Sequence, residues 1–232
     1  MSALPRVEQA VELLDQPAQD QATLLRSLEH VAQINRWLGG TRSLLRELAA
    51  LLDARDCSVL DIGTGNGALP IALVQWARAR KLPSQVRATD VHPQMLAFAR
   101  AACAARPEIV VETADALRLP YPDGAFTVAI LSLTLHHFDG EAQVRVLREA
   151  ARVSRRAVIV SELERGWPNY LGARLLAATW WRSNPITRHD GPLSVLRAFT
   201  RTELLDLARA AGLRDIRGSR HFFYRLVLVG RP

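Results

Sequence analysis

VLDIGTGNGAL, residues 59–69, decides the fold. An apolar run, a glycine at every second position and then ALPIALVQWARARK read as strand, tight turn and helix. Gly63, Gly65 and Gly67 let the backbone turn sharply and approach a ligand with no Cβ in the way. The helix that follows aims its free N–H groups at the same point. The spacing alone leaves the ligand open, because Gly63-x-Gly65-x-x-Ala68 also satisfies the dinucleotide fingerprint. No Lys-Ser or Lys-Thr follows the glycines, which argues against a phosphate-cradling nucleotidase loop.

Outward from this turn, strand and helix patterns alternate. CSVLDI (57–62), QVRATD (85–90), EIVVE (108–112), AFTVAILSL (125–133) and AVIVSEL (157–163) read as strands. PQMLAFARAACAA (93–105) and EAQVRVLREAARV (141–153) read as helices, the first with Pro93 in its opening turn. This order predicts an α/β fold: a Rossmann-like, seven-stranded, mostly parallel sheet with helices on both faces. FTRTELLDLARAAGL (199–213), capped by Thr200 or Thr202, then supplies a helix, and DIRGSR and HFFYRLVLVG supply the last strand pair.

Two helical additions are expected. Residues 1–55 read as N-terminal helices covering the active site, with a linker-like DQPAQDQ, a helix through Leu24, Leu28, Val31 and Leu38, a break at Gly39-Gly40 and Thr41 capping the next helix. Residues 56–232 form the main domain, into which a helical cap is inserted at about 165–198. The cap holds Trp167, Tyr170, Trp180 and Trp181, which form either a lid over an apolar pocket or ordinary helix packing. Its Arg165, Arg174, Arg182 and Arg188 either attract an acidic acceptor or are solvated.

Three carboxylates narrow the ligand. Asp61 sits at a strand tip before the glycines, where it repels a pyrophosphate and can hold a cationic amino-acid group. Asp90 ends the next strand, where ribose hydroxyls lie in such folds. Asp115 follows the third strand and can accept from an adenine amino group.

Together, VLDIGTGNGALPIAL, ATDVHPQMLAFAR, ADALRLPYPDGAFTVAILSLTLHHF and LREAARVSRRAVIVSE resemble the class I S-adenosyl-L-methionine (SAM)-dependent methyltransferases, near the ubiquinone/menaquinone-biosynthesis-type branch. The resemblance covers about residues 57–163. It implies that SAM is the cofactor and S-adenosylhomocysteine the product. It implies that Asp61, Gly63, Thr64 and Gly65 line the methionine half, that Asp90 takes the ribose diol, and that Val91 lies against the adenine. Asp115 and Ala116 would meet the adenine edge, and Leu131 and Ser132 would close the site. Arg36, in the helix that closes over SAM in related enzymes, either meets the methionine carboxylate or is a surface charge.

Methyl transfer to a phenol or alcohol benefits from a base. The fourth strand is read as ending in LHHF, with His136 and His137, and the fifth in Ser161-Glu162, so both tips open on one cleft. Glu162 can orient a histidine; His137 is the favoured base, with His136 packed inward or against SAM, and the alternative is that both only line the site. His189, beside Asp190 and a turn expected at Gly191-Pro192, is a third candidate, in a stretch resembling bacterial polyketide-type methyltransferases.

Bulk properties set the remaining expectations. Hydrophobic residues make up 49% of 232, enough for a substantial core, and no run is long enough for a membrane span. The acidic N-terminus does not read as a signal peptide, which points to the cytoplasm. Cys57 and Cys103 read as reduced, buried side chains, and no cluster has metal-ligand spacing. The net charge of +7 invites a nucleic-acid reading, but its arginines are scattered, and LTLHHF stands where base N-methylating enzymes often carry an Asn/Asp-Pro-Pro-aromatic element. The expected partner is a small-molecule acceptor, with peripheral membrane contact compatible with the cap. An RNA or DNA methyltransferase, a nicotinamide-dependent oxidoreductase and a non-catalytic SAM-binding protein are the competing readings.

Overall fold

The computed structural model describes residues 4–16, 19–53 and 57–232. Seven strands form one sheet: β1 (Ser58–Ile62), β2 (Gln85–Asp90), β3 (Ile109–Thr113), β4 (Phe126–Ser132), β5 (Ser154–Leu163), β6 (Arg214–His221) and β7 (Arg225–Arg231). Their order is β3-β2-β1-β4-β5-β7-β6. β1 to β5 pair in parallel, and β7 runs antiparallel between β5 and β6. The chain winds from β1 to one edge and restarts at β4 on the other side, so a crevice opens beyond the carboxyl ends of β1 and β4. The expected α/β sheet is observed.

Strand periodicity sorts the core into two layers. Val59, Val128, Ile130, Ile159 and Val227 pack with α2 (Gly40–Ala49) and α3 (Ala68–Ala79). The intervening Leu60, Ala129, Leu131, Val158 and Leu228 pack with α5 (Glu141–Val153) and α8 (Arg201–Ala210). The strands are apolar at successive positions because helices cover both sides. Thr200 caps α8, closing a capping box with Glu203. The remaining helices, α1 (Gln21–Trp37), α4 (Pro93–Cys103), α6 (Trp167–Ala178) and α7 (Pro185–Arg197), complete the chain, with α6 and α7 occupying the 165–198 segment.

Four local expectations are corrected. Thr41 does not cap α2; Gly39 does, at φ +79, a left-handed backbone that glycine reaches without a Cβ clash. Gly191 and Pro192 are not a turn but lie inside α7, where a Cβ on residue 191 would come 2.5 Å from the Trp181 ring. Pro192 is buried within α7, whose packing against α6 and α1 holds the helix despite a helix-breaking tendency of about 3 kcal/mol in an isolated helix. HFF does not belong to the last strand; Phe223 and Tyr224 form the hairpin turn at φ +56 and +55. His136 and His137 lie beyond β4 in a 3₁₀ turn, Leu135–His137. The linker-like DQPAQDQ includes positions 17 and 18, and the 55/56 boundary falls within 54–56, outside the described residues.

Candidate functional site

The glycine turn is tied to β2 by two hydrogen bonds, from Gly63 N–H (2.8 Å) and Thr64 N–H (2.9 Å) to the Thr89 carbonyl. Gly63 has φ +74, and a Cβ there would lie 2.4 Å from Thr134 Cγ2, so both conformation and space demand glycine. Asp90 stiffens the turn: its carboxylate accepts from Gly65 N–H and from His92 N–H, each at 3.0 Å.

Asp61 sits at the tip of β1, 2% exposed. Among the described residues its Oδ2 has no hydrogen-bond partner, and neither does the Thr64 hydroxyl. Burial raises the Asp61 carboxyl to about 7; the nearby Thr64 hydroxyl pulls the other way, and Asp90 adds a smaller upward push. Buried polar atoms without partners are costly, and both of these face one cavity of about 1160 Å³. Asp90, Val91, Asp115, Ala116 and Ser132 line the same cavity. Asp115 is exposed and accepts from Leu117 N–H at 2.9 Å.

Three expected site residues lie elsewhere. Leu131 belongs to the core layer under α5 and is absent from the cavity wall, because its side chain points to the opposite face from its neighbours. Arg36 is exposed on the last turn of α1, and Asn35 lines the cavity in its place. His189 is exposed outside the wall; its Nδ1 pairs at 2.7 Å with Asp190, which also accepts the N–H groups of Leu13 and Leu14 and so holds the N-terminal segment. Of the cap arginines, Arg165 is consumed by a bidentate pair with Glu203 at 2.6 and 2.8 Å, and Arg174, Arg182 and Arg188 are exposed.

His136 and His137 both line the cavity. Glu162 pairs with His136, not His137, at 2.7 Å between Oε2 and Nδ1. The fully buried Glu162 is held below the ordinary carboxylate range: burial works against ionisation, but His136 outweighs it. With Glu162 ionised, Nδ1–H of His136 donates to it. The Nε2 of the same ring lies 3.7 Å from Glu12 Oε1. His137 Nδ1 pairs with Asp15 Oδ2 at 2.7 Å. Burial opposes the His137 imidazolium, yet Glu12, the bond to Asp15 and Glu162 together raise it to about 9, so it is charged at neutral pH.

Glu12, His136 and His137 bring ligand atoms within 4.8 Å of one another, a set that can hold a divalent cation. The two rings, however, lie 4.4 Å apart and only 32° from parallel, so an ion shared by both would sit well out of the ring planes. The arrangement fits proton chemistry better than ligation.

Glu12, Asp15, Arg197 and Arg225 were not legible as site residues. Asp15 and His137 are 122 positions apart, and no local pattern marks the pair. Arg197 straps the N-terminal segment to the histidine turn, donating to the carbonyls of His136, Glu8 and Ala10. Leu28, Val31, Leu69, Leu176 and Val195 give the rest of the cavity an apolar wall, with Trp181 among them. No helix among the described residues is long and apolar enough to cross a membrane.

Residues 59–157 match a family model described as a methyltransferase domain. Demethylmenaquinone methyltransferase of Thermus thermophilus is 38% identical over 81 residues, 34% of this chain and 35% of that protein, so the match spans about a third of the relative's length. A SAM-dependent methyltransferase from Aquifex aeolicus shares the fold, with TM-score 0.67 at 17% identity over 92% of this chain and 98% of that one. PigF with SAH gives TM-score 0.55 at 24% identity over 78% of this chain and 52% of that one. At such identities the structural likeness speaks to the fold.

Proposed function

We propose, on the premise that residues 59–157 belong to the class I SAM-dependent methyltransferase family, that this chain methylates a hydroxyl or an activated carbon of a small, largely apolar acceptor. The observation that carries the reading is the convergence of Asp61, Thr64, Asp90 and His136, the last held from behind by Glu162, on one cavity large enough for two ligands. The buried, unpartnered Asp61 Oδ2 and Thr64 Oγ1 suit the ammonium end of SAM. Asp90 keeps lone pairs beyond its two backbone bonds for a ribose diol, and Asp115 lies at the adenine end.

When bound, SAM supplies a methyl carbon already activated by its sulfonium. The chain then has three tasks. The glycine turn and Asp61 fix the donor, and the apolar wall aligns the acceptor while excluding water. His136 Nε2 takes the acceptor proton, with Glu162 holding the ring and Glu12 stabilising the imidazolium that results. His137 is already protonated at neutral pH, so it acts as a fixed positive charge rather than as the base the sequence favoured. That charge favours a developing phenolate or enolate. The demethylmenaquinone methyltransferase relatives make a quinol-like acceptor the first class to assay, with polyketide-type phenols second.

The test is SAM and NAD titration by calorimetry, followed by S-adenosylhomocysteine release on naphthoquinol, phenol and RNA panels. Micromolar SAM binding and turnover on a small hydroxyl compound are expected. Binding of NAD instead, or turnover on RNA alone, would overturn the proposal.

A further inference from the structure

Arg225 opens β7, paired with Leu163 at the end of β5, and its side chain is 1% exposed. It lines the cavity. Among the described residues its Nε and Nη1 have no hydrogen-bond partner. The adjacent Glu162 does not serve them, because its oxygens are taken by His136 Nδ1 and by the N–H groups of Leu135 and His136. Asn35 Oδ1, on the same wall, is also unpartnered. Gly40 sits between the two: a Cβ there would strike Asn35 Oδ1 and come 3.2 Å from Arg225 Nε. Glycine therefore lets the backbone close against both side chains at this corner.

A buried guanidinium with free donors is expensive unless something fills them. Its planar fork matches a carboxylate. Burial lowers Arg225 to about 10, which still leaves it charged at neutral pH. Glu162 offsets part of this cost through space, but its oxygens already accept from His136 and the Leu135 N–H and do not fill the Arg225 donors.

We propose that Arg225, buried in the wall of the cavity with unfilled N–H donors, is a carboxylate-recognition subsite. The inference rests on the methyltransferase reading above. The carboxylate comes either from the amino-acid end of SAM or from an acid group on the acceptor, and the experiment separates the two sources.

The experiment compares wild type with R225Q and R225K, each checked for folding by thermal melting. Calorimetry uses S-adenosylhomocysteine against 5′-methylthioadenosine, which keeps the nucleoside and thioether but lacks the amino-acid end. It then uses 4-hydroxybenzoate against its methyl ester on the S-adenosylhomocysteine-saturated protein. If the subsite serves SAM, R225Q weakens S-adenosylhomocysteine at least tenfold, leaves methylthioadenosine within twofold, and R225K recovers part of the loss. If it serves the acceptor, S-adenosylhomocysteine is unaffected and only the benzoate, not the ester, loses at least tenfold. A folded R225Q in which neither acid-bearing ligand is selectively weakened overturns the subsite. Wild-type protein that binds no S-adenosylhomocysteine overturns the methyltransferase reading instead, so the two failures are distinct. If R225Q does not fold, R225K carries the test, because a retained cation without the planar fork must still discriminate acid from ester less well.

Discussion

Glu162 Oε2 meets His136 Nδ1 at 2.7 Å inside the sheet's carboxyl edge, and Glu162 Oε1 accepts the N–H of Leu135 at 2.8 Å. One carboxylate therefore fixes both the tautomer of the imidazole and the 3₁₀ turn that carries it.

Replacing Glu162 by Gln keeps the shape but removes the charge that supports a protonated ring. Turnover, followed as S-adenosylhomocysteine release, should fall roughly 10²–10⁴-fold. Affinity for S-adenosylhomocysteine should stay within about threefold, since Glu162 is absent from the cavity wall. Unchanged turnover would remove the pair from the chemistry.

Asp61 should couple ligand binding to proton release. Its folded value of about 7 lies above the ordinary 3.8, so the stability linked to its protonated form is full below 3.8 and is lost as pH rises through about 7. An ammonium group beside it favours the carboxylate and lowers it again. Calorimetry at about pH 6.5 in two buffers of different ionisation enthalpy should therefore report a proton released on SAM binding. Asp61→Asn should abolish that release and weaken binding roughly 10–100-fold, the value of a charge-assisted hydrogen bond of about 1.5–3 kcal/mol.

The Asp15–His137 contact should be visible as a titration. His137 is raised from 6.5 to about 9, so its contribution to stability is complete below pH 6.5 and disappears as pH rises through about 9. In Asp15→Asn the imidazole should titrate at lower pH by NMR. The stability gap between the two proteins should close between about pH 7 and 10 in denaturant titrations. An unmoved His137 resonance would show that the contact is not made in solution.

Gly63→Ala tests the turn. At φ +74, and with Thr134 Cγ2 2.4 Å from the new methyl, strain and overlap coincide. Together they should cost about 1–3 kcal/mol of stability, read as a lowered melting temperature. SAM affinity should fall with it, whereas Gly172→Ala, inside α6 where a Cβ meets nothing within 4 Å, should hold or raise the melting temperature, since alanine suits a helix interior better by about 1 kcal/mol.

Much of the scaffold was legible because it is written in short-range patterns. QVRATD and EAQVRVLREAARV have the bounds of β2 and α5, and the alternation of strand and helix placed the tips of β1, β2 and β3 on one edge. Asp61, Asp90 and Asp115 were found because each immediately ends or follows a strand. Pro192 misled for the same reason: local propensity marks a break, and the packing of α7 against α6 and α1 overrides it.

The amino-acid order by itself determined the winding of the sheet, the glycine turn and the acids at its edge, since hydrophobic periodicity and backbone freedom act over a few residues. Only the tertiary structure decided which charged groups meet. Glu162 with His136 and Asp15 with His137 join segments 26 and 122 positions apart, and packing leaves Nε and Nη1 of Arg225 unfilled among the described residues. Such pairings follow from which groups are removed from water together, a property of packing in three dimensions that no neighbouring residue records.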